Sequence, residues 1–161
     1  MKSLLLLLLA LLWVGISWAE APPRIGYHGW GPRVGVASDP DLAYVGAQVD
    51  FGDFADRVRF QPNFEIGSGD DETVASFDFE AAYRLLPGWR EWSPYVGGGV
   101  GLNFDEAGRG PDRIHDDEMG ASFLTGMEKG MPDGDRVFFD LKLGLVDAPA
   151  LKIGFGYTFN R

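Results

Sequence analysis

The sequence predicts an all-β chain that forms an eight-stranded, antiparallel, up-and-down β-barrel. Three observations predict this fold class: runs in which apolar and polar residues alternate, short turn-like segments between the runs, and a high share of glycine and aromatic residues. Glycine fills 23 of 161 positions, and aromatic residues make up 14%. Because strand side chains point alternately to two faces, alternation indicates strands with a different environment on each face.

The first residues form an export signal. Lys2 supplies a positive charge, an apolar run of about 13 residues follows, and small residues at Ser17 and Ala19 fit a signal-peptidase site. The run is shorter than the roughly 20 residues that a spanning helix needs. The sequence therefore predicts a cleaved signal peptide over 1–19 and one barrel domain over 20–161.

Eight runs follow, and turn-forming residues separate them. The predicted strands are Gly31–Ser38, Leu42–Gly52, Arg57–Gly69, Thr73–Leu85, Ser93–Phe104, Glu118–Met131, Arg136–Leu145 and Leu151–Phe159. The connections are short, such as the predicted turn at 53–56, except for one long loop that we expect over 105–117. Pro62 cannot donate a ladder hydrogen bond, so we expect a bulge or a local edge there.

The direction of the barrel wall follows from the charges on the polar faces. In the third run, for example, Phe60 and Phe64 alternate with Arg59 and Glu65. The polar faces hold six positive residues, Arg57, Arg59, Arg84, Arg136, Lys142 and Lys152, and six negative ones, Asp50, Glu65, Asp78, Glu80, Glu128 and Asp140. A crowded lumen requires such balance, because an unpaired buried charge is costly. The pattern favours polar faces inside and apolar faces toward lipid, which makes the predicted barrel a transmembrane one.

Aromatic residues support the same direction, because membrane barrels carry them at the membrane interfaces. If both termini lie on the periplasmic side, one rim collects a group of aromatic side chains. These are Trp30, Phe51, Phe54, Tyr83, Trp89, Trp92, Tyr95 and Phe159.

Composition excludes several classes of protein. The formal net charge of -10 argues against a nucleic-acid partner, whose phosphates require a basic surface. There is no cysteine, so the chain has neither a disulfide framework nor an N-terminal lipidated cysteine. The fold must be held by strand pairing and packing.

Three segments resemble the small outer-membrane β-barrels, the OmpA/OmpX-like and opacity-type transmembrane domains. They are 59–67 (RFQPNFEIG), 94–101 (PYVGGGVG) and the ending 152–159 (KIGFGYTF). The resemblance implies an outer-membrane location, contact with lipid and lipopolysaccharide, and insertion by the barrel-assembly machinery, which reads a terminal aromatic residue. Here Phe159 is followed by two more residues, a departure from that pattern. We expect a monomer.

Two groups of residues carry side chains that could bind a metal ion or catalyse hydrolysis. The 105–117 segment and Glu118 offer carboxylates and an imidazole for a divalent cation, Asp105, Glu106, Asp112, His115, Asp116, Asp117 and Glu118. Their spacing matches no known metal loop, so a solvated acidic loop is the favoured interpretation. His115, Ser122 and Glu118 could be drawn as a hydrolytic triad, but nothing in the sequence fixes their geometry.

The sequence therefore predicts no catalytic, cofactor-binding or metal-binding residues and no cofactor. The favoured hypothesis is a non-enzymatic outer-membrane barrel with a structural or surface-interaction role and a lumen filled by a polar salt-bridge network. The alternatives are a lipid A-modifying enzyme of the deacylase kind and, third, a soluble periplasmic barrel that binds a small apolar ligand.

Overall fold

The computed structural model describes residues 25–39, 41–69, 72–85, 90–107 and 114–161. The predicted signal peptide lies outside the described residues. The strands are β1 (Gly29–Ser38), β2 (Leu42–Asp50), β3 (Asp53–Ala55), β4 (Val58–Ser68), β5 (Glu72–Arg84), β6 (Ser93–Ala107), β7 (Ile114–Gly130), β8 (Arg136–Val146) and β9 (Leu151–Asn160). No helix in these ranges is long and apolar enough to cross a membrane.

The strands close into a barrel. Neighbours in the chain pair antiparallel, β2 pairs with β4, and the first and last strands pair with each other, for example Val34 with Phe155. Eight long strands make the wall, and β3 is a three-residue extension on β4. The predicted eight-stranded, antiparallel, up-and-down fold is confirmed. We call the end where β1 begins and β9 ends the terminal end, and the opposite end, with the 147–150 connection, the acidic end.

The predicted long loop over 105–117 is wrong in most of its length. Strand pairing between β6 and β7 continues outward to Ala107 and Ile114. Carboxylates are frequent in loops, which is why the sequence suggested one here. The antiparallel pairing satisfies the backbone N–H and C=O groups, so acidic residues can also lie in the strands. The predicted turn at 53–56 is also partly wrong, because β3 occupies Asp53–Ala55, and the reversal is completed by Arg57 at φ 60°.

Two prolines interrupt the ladders near the terminal end. The β1–β9 ladder has a gap at Gly31 and Pro32, where proline has no N–H to donate. Gln48 reaches across Gly31, and its Nε2 donates to the Tyr157 carbonyl at 2.8 Å. The β2–β4 ladder ends at Asn63, next to Pro62, which therefore lies at a local edge as predicted.

The wall is polar inside and apolar outside. On β4, Arg59, Gln61 and Glu65 are buried in the lumen, whereas Phe64 and Ile66 are exposed on the outer surface. Other large apolar side chains on the outer surface include Val34, Val45, Phe79, Leu102, Phe123, Phe139, Leu143, Ile153 and Phe155. This arrangement is the one expected of a membrane barrel and the reverse of a soluble carrier barrel.

Glycines make room for the aromatic rings in the lumen. Phe138 lies across from Gly156 on β9, and a Cβ on Gly156 would come within 2.2 Å of the Phe138 ring. Tyr95 lies across from Gly126 on β7, where a Cβ would come within 2.4 Å of the Tyr95 hydroxyl. An aromatic ring that covers a glycine in the neighbouring strand restores packing lost by the missing side chain.

Candidate functional site

The middle of the lumen is filled by an ionic network, which we call the central cluster. Its members come from β1, β4, β5, β8 and β9, and all point inward because they occupy alternate positions in their strands. They are Arg33, Glu65, Asp78, Glu80, Asp140, Lys142 and Lys152.

Arg33 is the hub of the central cluster. Its Nε lies 2.9 Å from Glu65 Oε1, its Nη2 lies 2.8 Å from Asp140 Oδ2, and its side chain is fully buried. Each terminal nitrogen of a guanidinium group can reach a different carboxylate, which suits arginine to this position. One side chain on β1 thus ties together β4 and β8, which lie on other parts of the wall.

Two lysines complete the central cluster from the β8–β9 side. Lys142 Nζ lies 3.4 Å from Glu65 Oε1 and 3.4 Å from Asp78 Oδ2, and it also contacts Glu80. Lys152 contacts Glu65 and lies 4.7 Å from the centre of a tyrosine ring, that of Tyr44. Glu65 therefore meets three cations, and the buried charges are paired as a closed network.

A second network lies toward the terminal end. We call it the vestibule cluster: Asp50, Arg59, Gln61, Glu128, Arg136 and Thr158. Arg136 Nη1 donates to Glu128 at 2.9 Å, and its Nη2 donates to Asp50 at 2.9 Å and to Gln61 at 2.8 Å. Arg59 contacts Glu128 from β4. This network borders a cavity of about 310 Å³ that is open at the terminal end.

An apolar layer separates the two clusters on one side of the lumen. It consists of Ala82, Tyr95, Leu124 and Phe138. The Phe138 ring has a guanidinium group from each cluster against it, Arg33 at 5.8 Å and Arg136 at 5.5 Å from its centre. Arginine stacks on aromatic rings at such distances, so the layer packs against both networks.

The lumen is open at the terminal end, but apolar side chains fill it near the acidic end. An apolar group of Ala37, Leu42, Tyr44 and Val74 lies there inside the barrel. Above it, a small cavity of about 190 Å³ is lined by Asp39, Val74, Asn103, Glu118, Asp147, Ala148 and Pro149. Asn103 Nδ2 donates to the Asp147 carbonyl at 2.7 Å, which fixes the connection before β9 to the β6 wall.

Most of the predicted lumen charges are confirmed, with one exception. Arg57 is wrong: it lies in the turn before β4, with 42% of its side chain exposed, and pairs with Asp56. Arg84 faces the lumen near the rim, where it contacts Asp53. The sequence analysis missed Arg33. Its neighbours Pro32 and Val34 are exposed on the outer surface, and alternation between these two apolar residues indicates an inward side chain at Arg33.

The predicted aromatic rim at the terminal end is found with one correction. Trp30 packs against Phe159 with ring centres 5.8 Å apart, and Phe51 packs against Phe60 at 6.1 Å. Trp92 packs against the β8 residue Phe139 at 5.7 Å. Tyr95 belongs to the lumen instead and is only 1% exposed. Trp89 lies outside the described residues.

The two chemical hypotheses fare differently. His115 and Ser122 both lie in β7, seven residues apart, which is about 23 Å of extended strand. The drawn triad therefore does not come together. In the acidic segment, only Glu118 has a described side chain, and the side chains of the other candidate ligands, Asp105, Glu106, Asp112, His115, Asp116 and Asp117, lie outside the described part of the structure.

Comparison with known proteins identifies the fold. No family model and no curated protein matches the chain. Several solved structures do, among them Neisserial surface protein A (TM-score 0.60, 14% identity, 82% of this chain and 92% of that one), the N-terminal β-barrel domain of Pseudomonas aeruginosa OprF (0.58, 16%, 84% and 99%) and the designed protein TMB2.3 (0.52, 9%, 88% and 97%). The fold and the polar lumen thus define the class: this chain has the fold of the small eight-stranded outer-membrane barrels.

Proposed function

We propose that this protein is a non-enzymatic barrel of the outer membrane with a structural or surface-interaction role. In this proposal the chain is exported through a cleaved signal peptide, inserted by the barrel-assembly machinery and held as a monomer in contact with lipid and lipopolysaccharide. The connections at the acidic end are its contact surface.

One observation carries the proposal: the apolar face of the wall points outward and the charged face points inward. Outward residues such as Phe64, Phe139 and Ile153 are 44%, 49% and 51% exposed, whereas Glu65 and Asp140 are 1% and 5% exposed. In water this outer surface would be a continuous apolar patch far larger than soluble monomers carry. In lipid the same surface is stabilised.

The packing of the lumen supports a structural role over transport or catalysis. An eight-stranded barrel is just wide enough for its side chains to fill, and the central cluster does fill it. Glu65 on β4 and Lys142 on β8 meet from opposite walls, with Oε1 and Nζ 3.4 Å apart. Accessible surface therefore remains at the two ends and on the outer wall. His115 and Ser122 are too far apart along β7 to act together in a hydrolytic triad.

The location is tested by fractionation of cells that express the full chain. We expect the protein in the outer-membrane fraction, resistant to extraction with sodium carbonate, with a gel mobility that differs between unheated and boiled samples. A folded product that is recovered from the periplasm without detergent would show that the apolar face does not contact lipid and would contradict the proposal.

The absence of lipid A chemistry is tested separately. Mass spectrometry of lipid A from cells with and without the protein is expected to give the same acylation pattern. Ser122→Ala serves as the matched variant. An acyl chain that is lost with the natural sequence and restored with Ser122→Ala would establish an enzyme and would contradict the non-enzymatic role.

A further inference from the structure

The cavity at the terminal end is lined mainly by charged side chains. Its described lining consists of His28, Asp50, Gly52, Asp53, Arg59, Arg84, Arg136 and Asn160. Three guanidinium groups from three strands, β4, β5 and β8, thus face two carboxylates. Its volume of about 310 Å³ would admit a small ion with room for a substituent.

The three arginines differ in how far they are already engaged. Arg136 is engaged through both terminal nitrogens, with Glu128, Asp50, Gln61 and Thr158 as acceptors. In the described part of the chain, Arg59 contacts Glu128 through Nη1, and Arg84 contacts Asp53 through Nη2. A guanidinium group has five N–H donors, so Arg59 and Arg84 retain donors for a further acceptor.

Arg59 and Arg84 are also neighbours on the lumen side of the wall. Arg59 is paired with Ala82, and Arg84 is two residues further along the same strand, which makes the two arginines diagonal neighbours about 7–8 Å apart at the backbone. The Tyr95 ring, 5.5 Å from the Arg59 guanidinium carbon, holds that group in place. Both arginines line the same cavity.

We propose that this cavity binds a small oxyanion, a phosphate or carboxylate group, between Arg59 and Arg84. Arginine forks match the geometry of such groups with paired N–H donors. Glu128 is not part of the lining, and Asp50 is held by Arg136 at 2.9 Å. Asp53 is the carboxylate that competes directly, because it contacts Arg84 at the mouth of the cavity.

The test uses the mature chain refolded in an uncharged detergent that contains no phosphate. Inorganic phosphate is titrated by calorimetry at constant ionic strength, with chloride as the reference anion. We expect saturable binding of phosphate, about tenfold weaker binding in Arg84→Gln, which loses a charged hydrogen-bond donor, and tighter binding in Asp53→Asn, which loses the competitor.

Arg57→Gln is the matched control. Arg57 lies at the same end and is similarly exposed, 42% against 36% for Arg84, but it pairs with Asp56 and does not line the cavity. Its loss is expected to change binding less than twofold. Arg84→Lys keeps the positive charge but lacks the paired N–H donors of arginine, and we expect it to bind phosphate with intermediate strength. This variant separates recognition by paired donors from attraction by positive charge alone.

Further titrations distinguish the source of the anion. Glycerol phosphate that binds as tightly as inorganic phosphate would support a phosphate carried by a larger molecule, and weaker binding would support the free ion. Acetate in place of phosphate tests a carboxylate. Heats no different from chloride with all three anions, or equal losses in Arg57→Gln and Arg84→Gln, would overturn the proposal.

Discussion

The two ionic networks of the lumen both pair arginine with carboxylates, but they stand in different surroundings. The centre of the central cluster, Arg33 and Glu65, is enclosed by the wall, by the apolar layer around Phe138 and by the apolar group at the acidic end, and these two side chains are 0% and 2% exposed. Asp78 and Lys152 of the same cluster are 19% and 10% exposed. The vestibule cluster borders an open cavity, and its members Arg136 and Glu128 keep 8% and 7% of their side chains exposed.

This difference decides how much each charge depends on its partners. In an enclosed network, a charge that loses its partner cannot be solvated by water. Removing one partner of a pair therefore destabilises the fold far more than replacing both partners with apolar residues. Next to an open cavity, water can replace a lost partner at little cost. The central cluster should therefore control the stability of the barrel, whereas the vestibule cluster tolerates change and can exchange partners with a ligand.

The largest effect is expected for Glu65→Gln in the central cluster. Glu65 lies against Arg33, Lys142 and Lys152, so the variant removes the carboxylate that all three buried cations share. We expect a loss of about 3–5 kcal/mol in the free energy of unfolding. Urea unfolding of the barrel in lipid vesicles, followed by tryptophan fluorescence, measures it. A smaller loss than that of Glu128→Gln in the vestibule cluster would show that the central cluster is not enclosed.

The neighbouring residue on the outer face gives the next effect. Phe64→Arg places a charge on the outer apolar face of the wall, which contacts lipid in the proposed location, one residue from the buried carboxylate of Glu65. Its cost should be about 2–4 kcal/mol near the midplane of the bilayer. Phe64→Leu is the control and should cost less, because it keeps an apolar side chain. If Phe64→Arg unfolds at the same urea concentration as the natural protein, this face does not contact lipid.

How much the sequence predicts depends on the kind of pattern. β4, β5, β8 and β9 alternate most clearly, so their faces and most lumen charges follow from the period alone. Arg57 continues that period in the sequence, yet β4 begins one residue later, because a left-handed turn residue at φ 60° ends the alternation. Tyr95 enters the lumen because Gly126, 31 residues away in the sequence, leaves room for its ring. A local pattern cannot show such a partner.

The ionic partners are likewise beyond the reach of a local pattern. The predicted balance of charges indicated a paired lumen, but which residues pair depends on the stagger of the strands around the barrel. Arg33 and Asp140, for example, are 107 residues apart in the chain. The β6–β7 hairpin shows the same limit, because its length is set by pairing across strands and not by the carboxylates within it.

A smaller effect is expected for Glu128→Gln in the vestibule cluster. Glu128 accepts from Arg59 and Arg136, so this variant also removes a carboxylate between cations. Because its partners Arg59 and Arg136 line the open cavity, where water can solvate them, we expect a loss of about 1–3 kcal/mol in the free energy of unfolding, measured as for Glu65→Gln. The ratio of the two losses measures how strongly enclosure contributes. Equal losses would mean that water from the cavity does not reach the vestibule cluster.

The smallest effect belongs to an ion pair outside both clusters, between Glu91 in the connection before β6 and Lys129. The hydrogen bond from Lys129 and the positive charge of Lys129 lower the pKa of Glu91. Any stabilisation is present above the ordinary pKa of glutamate and is lost as the pH falls through the lowered value. Because Glu91 is 73% exposed, water and salt screen the pair, and the unfolding midpoint should not change in Lys129→Gln. Nuclear magnetic resonance titration of the Glu91 carboxyl should still show its pKa rise toward the ordinary value in that variant. A change in stability as large as that of Glu128→Gln would mean that this connection is packed into the barrel, and that solvent exposure does not separate strong pairs from weak ones here.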